Sequence, residues 1–398
     1  MSSVMELIVN PKYVNKFKQG YPLVHKDSIA NLDKLKEEGS LFHLVDPTRN
    51  FIAKGYYGIQ NKGVGWVLSH RIGEKIDIIF FKEKISDAMK KRESFYKDSE
   101  TNTFRIFNGE GDGIGGFTID YFDGYYLINW YSEGIYSFKD QVIRAFDELT
   151  DYKGIYEKKR FDTKGKYIDD DDFVKGERGE FPIIVKENGI NYAVYLNDGA
   201  MVGIFLDQRD VRNVIREKYA MDKNVLNTFS YTGAFSVAAA LGGAAKTTSV
   251  DLAKRSKSKT IEQFSVNGID YEAQDIVVMD VFDYFKYANR KDLKFDLVIL
   301  DPPSFARSKK RTFSSSKDYP TLIKDAILVT EKNGVIVAST NNATFGMKKF
   351  KGFVEQACKD TGTTYKIIES FNLPKDFQTS SDYPEGNYLK VLFIKKTS

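Results

Sequence analysis

The sequence predicts an α/β fold: a parallel sheet covered by helices on both faces occupies the C-terminal part, behind a small β-barrel and a central α+β region. Three observations predict it. Beyond about Asn191, short apolar runs at 224–227, 247–250, 276–279, 297–300 and 334–338 alternate with helical segments, and the runs are continuously apolar, as strands buried on both faces are. Four strand-like runs, 7–9, 41–45, 51–57 and 65–68, crowd the first 75 residues. Between these regions strands and helices are mixed. The expected division is therefore 1–75, 76–190 and 191–398.

In the first region, turn-prone Asp46-Pro47 and Lys62-Gly63 separate strands short enough for a compact barrel, and 33–38 reads as a charged helix end. In the second, a charged helix over 82–96 precedes strands at 104–107, 116–121 and 125–130, a helix over 137–149 and a strand at 154–157. Gly109-Glu110-Gly111-Asp112-Gly113-Ile114-Gly115-Gly116 must turn tightly and is assigned structure rather than chemistry. The acidic run Asp169-Asp170-Asp171-Asp172 reads as a solvated loop.

At 398 residues the chain is long enough for two or three domains of about 100–200 residues each. A hydrophobic content of 42% with 29% charged residues is that of folded domains, and a net charge of +4 permits a polyanionic partner without identifying one. The single cysteine, Cys358, excludes an internal disulfide, and no Cys/His cluster has the spacing of a metal site. No apolar run has the length of a signal peptide or a membrane span, so the expected setting is the cytoplasm.

The chemistry lies at the strand ends of the third region. The first strand runs into Asn227-Thr228-Phe229-Ser230-Tyr231-Thr232-Gly233 and an Ala-rich helix. Gly233 permits close backbone approach to a ligand, and the helix start offers free N–H groups. Asp251 ends the second strand, where an acid can bind both hydroxyls of a ribose. Asp280 ends the third and Asp301 the fourth. Alone, such an acid is a helix cap. Four consecutive strand ends together predict a nucleoside-ligand site. There is no phosphate-cradling GxxxxGK[ST] and no three-glycine dinucleotide turn, which favours S-adenosylmethionine (SAM), with NAD as the alternative cofactor.

In Asp301-Pro302-Pro303-Ser304-Phe305 two prolines fix the backbone and aim its carbonyls outward, and Phe305 can stack on a flipped base. The alternative is a rigid strand exit with Phe305 in the core. Next to it, Arg307, Lys309, Lys310 and Arg311 form a basic loop suited to RNA phosphates, with Lys348, Lys349 and Lys351 as an extension.

These residues resemble the RlmI type of class I SAM-dependent RNA methyltransferases, which act on 23S ribosomal RNA. The resemblance rests on the Gly109 to Gly116 turn, Phe205-Leu206-Asp207-Gln208-Arg209, Thr228 to Gly233, Asp301 to Phe305 and Tyr383-Pro384-Glu385-Gly386-Asn387-Tyr388-Leu389-Lys390. It implies a PUA-like RNA-binding barrel, a central α+β domain and a Rossmann-like methyltransferase domain. It further implies that Gln208 and Arg209 line the methionine end of SAM, that the Thr228 to Gly233 turn contacts it, that Asp251 holds its ribose and Asp280 its adenine edge. Arg209 can pair bidentately with a carboxylate; a surface ion pair is the alternative. The implied partner is ribosomal RNA or a large-subunit assembly intermediate, with a homodimer allowed.

One departure matters. Members that make 5-methylcytosine carry a cysteine after the fifth strand, in a Ser-Cys-Ser-like segment, where this chain has Ser339-Thr340-Asn341-Asn342. Cytosine C5 needs a thiolate adduct at C6 before it becomes a nucleophile. Cys358 shares helical spacing with Phe350, Phe353, Val354 and Ala357 and is expected in the core. A base nitrogen, guanine N7 ahead of an exocyclic amine, is the expected acceptor. Competing readings are a 5-methylcytosine enzyme, an RNA-binding protein without turnover and a small-molecule methyltransferase.

Overall fold

A computed structural model describes residues 4–60, 63–161, 172–199, 201–307 and 312–398. The chain divides into two compact units: Met1–Val185 with Val194–Val202 and Lys375–Gly386, and Lys186–Ala193 with Gly203–Pro374 and Asn387–Ser398. Lys309, Lys310 and Arg311 of the expected RNA-binding loop, Lys62 of the expected turn and most of the acidic run lie outside the described residues.

In the first unit the N-terminal strands form one sheet in the order Met5–Ile8, Leu41–Val45, Phe51–Gln60, Gly63–Ser69, Leu23–Val24. The stretch that follows Leu23–Val24 returns to the opposite edge, where Val9 bridges Ile29 and Ala30 N donates to Ile8 O at 2.9 Å. One segment thereby touches both edges and closes the barrel. A second sheet runs Phe173–Gly176, Gly154–Lys159, Tyr125–Trp130, Phe117–Phe122, Thr103–Asn108. One hydrophobic core joins the two: Phe42 and Tyr56 of the barrel share it with Phe81, Phe104 and Trp130. It runs without interruption across residue 75.

The helix expected over 82–96 begins at Ile78, because the Asp77 carboxylate accepts from Ile79 N and Phe80 N and so caps it. It stops at Lys91, and Glu93–Tyr96 forms a separate turn. The helix expected over 137–149 is likewise two pieces, Glu133–Tyr136 and Lys139–Asp147, and the helix end expected at 33–38 is a single 3₁₀ turn, Leu32–Lys34. Arg92, at the first break, is fully buried and pairs bidentately with Asp112, both nitrogens at 2.7 Å, while donating to the Asp376 carbonyl oxygen. A helix boundary set by a buried ion pair 20 residues away leaves no local signal.

The second unit is built on a sheet of seven strands: β1 (Asn224–Thr228), β2 (Lys246–Asp251), β3 (Asp275–Val278), β4 (Phe295–Leu300), β5 (Thr330–Thr340), β6 (Tyr365–Phe371) and β7 (Lys390–Lys396). Their spatial order is β3-β2-β1-β4-β5-β7-β6, with β1 to β5 parallel and β7 antiparallel to both of its neighbours. Its helices are α1 (Arg209–Val214), α2 (Ala234–Leu241), α3 (Lys254–Ser265), α4 (Val281–Arg290), α5 (Ser315–Val329) and α6 (Met347–Thr361).

The continuous apolar runs have the cause that the sequence suggests. Val225, Leu297, Ile299, Val335 and Val337 pack on one face with Val211 of α1 and Phe235 of α2. Leu226, Val298, Leu300, Ile336 and Ala338 pack on the other with Phe285 of α4, Leu322 of α5 and Val354 of α6. Alternate residues go to opposite faces and both faces are packed, which is why these stretches of β1, β4 and β5 are apolar at successive positions. Register places Thr228 opposite both Val250 and Leu300, so the strands end level and deliver their following residues to one side of the sheet.

Candidate active site

β1 ends on two polar side chains that are buried rather than presented. Asn227 Nδ2 donates to Ser236 Oγ at 2.9 Å, and Ser236 shares a hydrogen bond with Ser249 Oγ at 2.7 Å, tying β1 to α2 and β2. Thr228 Oγ1 donates to Ile299 O at 2.7 Å, tying it to β4. From this anchor the chain makes a strained turn: φ is +54° at Phe229, +52° at Tyr231 and +81° at Gly233. For a residue with a Cβ the left-handed region costs about 1–2 kcal/mol. Only Gly233 escapes that cost, and a Cβ there would lie 2.6 Å from the Thr260 methyl carbon.

The turn is held from three sides. Ser230 N donates to Val250 O at 3.1 Å, Thr232 Oγ1 to Gly203 O at 2.7 Å, and Tyr231 N to Asp251 Oδ2 at 2.9 Å. Asp251 Oδ1 accepts from Ala253 N at 2.8 Å. Each carboxylate oxygen thus spends one lone pair on a backbone amide, which orients it and leaves another for a ligand hydroxyl. Asp280 caps α4: its Oδ1 accepts from Phe282 N at 3.0 Å and Asp283 N at 3.3 Å. It stands beside Met279, whose N–H donates to Asp251 O at 2.9 Å.

Segment 203–209 lies against this turn, the Phe205 ring 5.4 Å from that of Tyr231. Next comes a buried polar group. Gln208 Nε2 donates to Asp301 Oδ1 at 3.1 Å and to Ser339 Oγ at 2.7 Å, and among the described residues Gln208 Oε1 is buried without a partner. Burial pushes the Asp301 carboxyl up to about 6, with the Asp207 charge adding to the rise; hydrogen bonds from Ser339 and Gln208 oppose it. The residue therefore changes charge near neutral pH.

Arg209 is buried, its Nε 3.8 Å from Asp210 Oδ1, so it is not a surface ion pair. Sequence reasoning missed its neighbours. Arg212 pairs bidentately with Glu187 at 2.8 and 2.7 Å, both buried, and Tyr388 OH donates to Asp207 at 3.0 Å. Asp207 and Tyr388 both lay inside motifs already singled out, and only their pairing was hidden.

Beyond Asp301, Pro302 is buried and Pro303 exposed. Phe305 is 63% exposed on a two-stranded hairpin, Phe305–Arg307 with Thr312–Ser314, so the core alternative for this ring does not hold. Arg307 is exposed on the same hairpin. Cys358 lies on the buried face of α6 with Phe350, Val354 and Ala357, and burial pushes its thiol up to about 11. A thiol so placed is neither ionised nor reachable.

Residues 105–394 match the S-adenosylmethionine-dependent methyltransferase family, and residues 7–70 match a PUA-like domain. This chain belongs to the S-adenosylmethionine-dependent methyltransferases. The methyltransferase is 62% identical over 392 residues to the candidate ribosomal RNA large subunit methyltransferase YwbD of Bacillus subtilis, covering 98% of this chain and 99% of that one. It is 30% identical over 393 residues to ribosomal RNA large subunit methyltransferase I of Alteromonas mediterranea, again covering 98% and 99%. Among solved structures, SMU.776, a candidate methyltransferase complexed with SAH, matches with a TM-score of 0.91 at 39% identity, covering 98% of this chain and all of that one. A candidate SAM-dependent methyltransferase from Streptococcus mutans matches at 0.90 and 38%, with the same coverage.

The methyltransferase uses SAM, and the residues present suit that group. Asp251 would meet the ribose diol with the lone pairs its two amide bonds leave over, the turn with Gly233 would admit close backbone approach, and Gln208 Oε1, without a partner among the described residues, would accept from an ammonium. SAM supplies an electrophilic methyl group on a sulfonium.

Proposed function

We propose that this methyltransferase methylates a base of large-subunit ribosomal RNA at a purine nitrogen, guanine N7 ahead of an exocyclic amine. The observation that carries the reading is the Asp301–Gln208–Ser339 group, a carboxylate with two polar partners where carbon methylation would require a reactive thiol. The only cysteine of the chain is locked in the α6 core. The 62% identical relative, named for large-subunit ribosomal RNA, supports the substrate class.

Guanine N7 attacks through a lone pair and needs no base, but the purine ring becomes cationic as the bond forms. An ionised Asp301 stabilises that developing charge, and more strongly in a site that excludes water. Above about pH 6 the carboxylate is in the required form. Phe305, exposed beside the site, supplies a plane on which a splayed base stacks.

On this reading Asp251, Asp280, Gln208, Arg209 and the turn from Asn227 to Gly233 hold SAM, and Asp301, Pro302, Pro303 and Phe305 form the acceptor pocket. Regions 1–75, 76–190 and 191–398 divide the labour as RNA tether, support and catalyst, although the first two share a core. Arg307, Lys309, Lys310 and Arg311 hold RNA phosphates. The substrate is free RNA or a large-subunit assembly intermediate, which implies work in the cytoplasm; a monomer or a homodimer satisfies the scheme equally.

The test is nucleoside mass spectrometry of ribosomal RNA from cells with and without the gene. Loss of 7-methylguanosine is the expected result. Loss of 5-methylcytidine instead would sink the reading.

A further inference from the structure

Asn341 and Asn342 follow β5 side by side, and their surroundings differ. Asn342 is fully employed: Oδ1 accepts from Thr344 N at 2.9 Å and Thr344 Oγ1 at 2.7 Å, and Nδ2 donates to Ser315 Oγ at 2.9 Å. Asn341 is exposed, and its Oδ1 accepts from Ser304 Oγ at 2.6 Å. Among the described residues, nothing accepts from its Nδ2. Ser315 N donates to Ser304 O at 3.0 Å, so the two asparagines and two serines clamp the loop after Asp301. Asn342 is spent on that clamp. Asn341 is fixed by it and still presents two N–H donors next to the loop, with the exposed Phe305 ring one residue beyond Ser304.

A fixed donor beside a stacking plane reads an acceptor on the edge of a base. Guanine presents two acceptors on one edge, N7 and O6, whereas adenine replaces O6 with an amino donor. We infer that Asn341 is a specificity-determining residue that donates from Nδ2 to guanine O6, next to the nitrogen receiving the methyl group, and so excludes adenine. The inference rests on the guanine N7 reading above. Asp301 serves the other need of the site, charge rather than identity, because a carboxylate facing O6 would repel it. Selection and charge stabilisation thereby fall to residues at the ends of the neighbouring strands β5 and β4, whose register pairs Ala338 with Leu300.

Two substitutions separate the donor from the clamp. Asn341→Asp keeps the oxygen that Ser304 bonds but replaces the amide donor by an acceptor; Ser304→Ala loosens the clamp and leaves the donor. The full chain is incubated with SAM and ribosomal RNA from cells lacking the gene, kcat/KM is taken from methyl incorporation, the product is identified by mass spectrometry, and SAM affinity is measured by calorimetry. Asn341→Asp is expected to lower kcat/KM by roughly 100-fold with SAM affinity unchanged, since a site built to bond a substrate group loses most when the bond is inverted. Ser304→Ala is expected to cost less than roughly 10-fold. Wild-type activity in Asn341→Asp, an equal loss in both variants, or weakened SAM binding overturns the inference. A wild-type product other than 7-methylguanosine overturns the guanine N7 reading and this inference with it, and is seen before any variant is made.

Discussion

Two turns in this chain look alike in outline and do opposite work. Gly109 to Gly116 is crowded with glycine and closed: a Cβ on Gly111 would lie 1.9 Å from the Gln378 carbonyl oxygen and one on Gly115 would lie 2.2 Å from the Trp66 ring. Asp112 within it is spent on Arg92 and on the Asn108 amide. Phe229 to Gly233 has one glycine, holds two bulky residues in left-handed conformation, and ties its Tyr231 amide to an acid with lone pairs to spare. Glycine richness therefore marks where protein fills the space. In the second turn the strain falls on Phe229 and Tyr231, at the strand end where the sequence leads us to expect SAM.

The largest test of that contrast is Asp112→Ala, which leaves the Arg92 guanidinium buried without its carboxylate. It is expected to cost about 3–5 kcal/mol in urea denaturation, whereas the same change at Asp251, which frees the Tyr231 and Ala253 amides near the surface, is expected to cost no more than about 1–2 kcal/mol. A mild effect at Asp112 would break the comparison. Asp251→Ala should instead weaken SAM binding by on the order of 100-fold in calorimetry, through two lost charge-assisted hydrogen bonds; undiminished affinity would move the cofactor elsewhere.

Next in size is pH. Because Asp301 must be ionised to act and its carboxyl sits at about 6, kcat/KM is expected to rise roughly tenfold between pH 5 and 7 and then level. The stability sign is opposite. A carboxyl raised above its ordinary value favours the folded state at acid pH, and that support is lost as pH rises through about 6. Asp301→Asn should remove both dependences. A profile still inflecting near 6 in that variant assigns the titration to another group. The smallest effect belongs to Tyr231→Asn: asparagine tolerates the left-handed region, so stability should hold or rise by up to about 1 kcal/mol. A clear loss would mean that the Tyr231 contact with Phe205 outweighs the strain.

Much of the second unit was legible because its signals are local. Apolar runs marked β1, β4 and β5 to within a few residues, β2 was placed although Val250 is the one apolar residue of its run at 247–250, and level strand ends deliver Asp251, Asp280 and Asp301 to one side of the sheet. Cys358 fell on the core face that its spacing indicated. What escaped was set at long range. Gln208 meets Ser339 across 131 residues and Arg92 meets Asp112 across 20, and neither pairing leaves a periodicity. Asp280 shows the limit within a motif, since one carboxylate both caps α4 and stands beside the site, and sequence could not say that the cap came first.

The segment Lys375–Gly386 belongs to the first unit although it is among the last to be synthesised. Asp376 gives its carbonyl oxygen to Arg92 and a carboxylate oxygen to the Arg105 amide, and Tyr383 packs on Trp66. At about 5–20 residues per second, the ribosome finishes these pieces on the order of tens of seconds after Arg92 and Asp112 emerge. The N-terminal unit therefore waits, incomplete, for residues 375–386 to be translated, and a message cut short before codon 375 yields a first unit whose buried Arg92 lacks the Asp376 carbonyl and whose Trp66 lacks the Tyr383 ring.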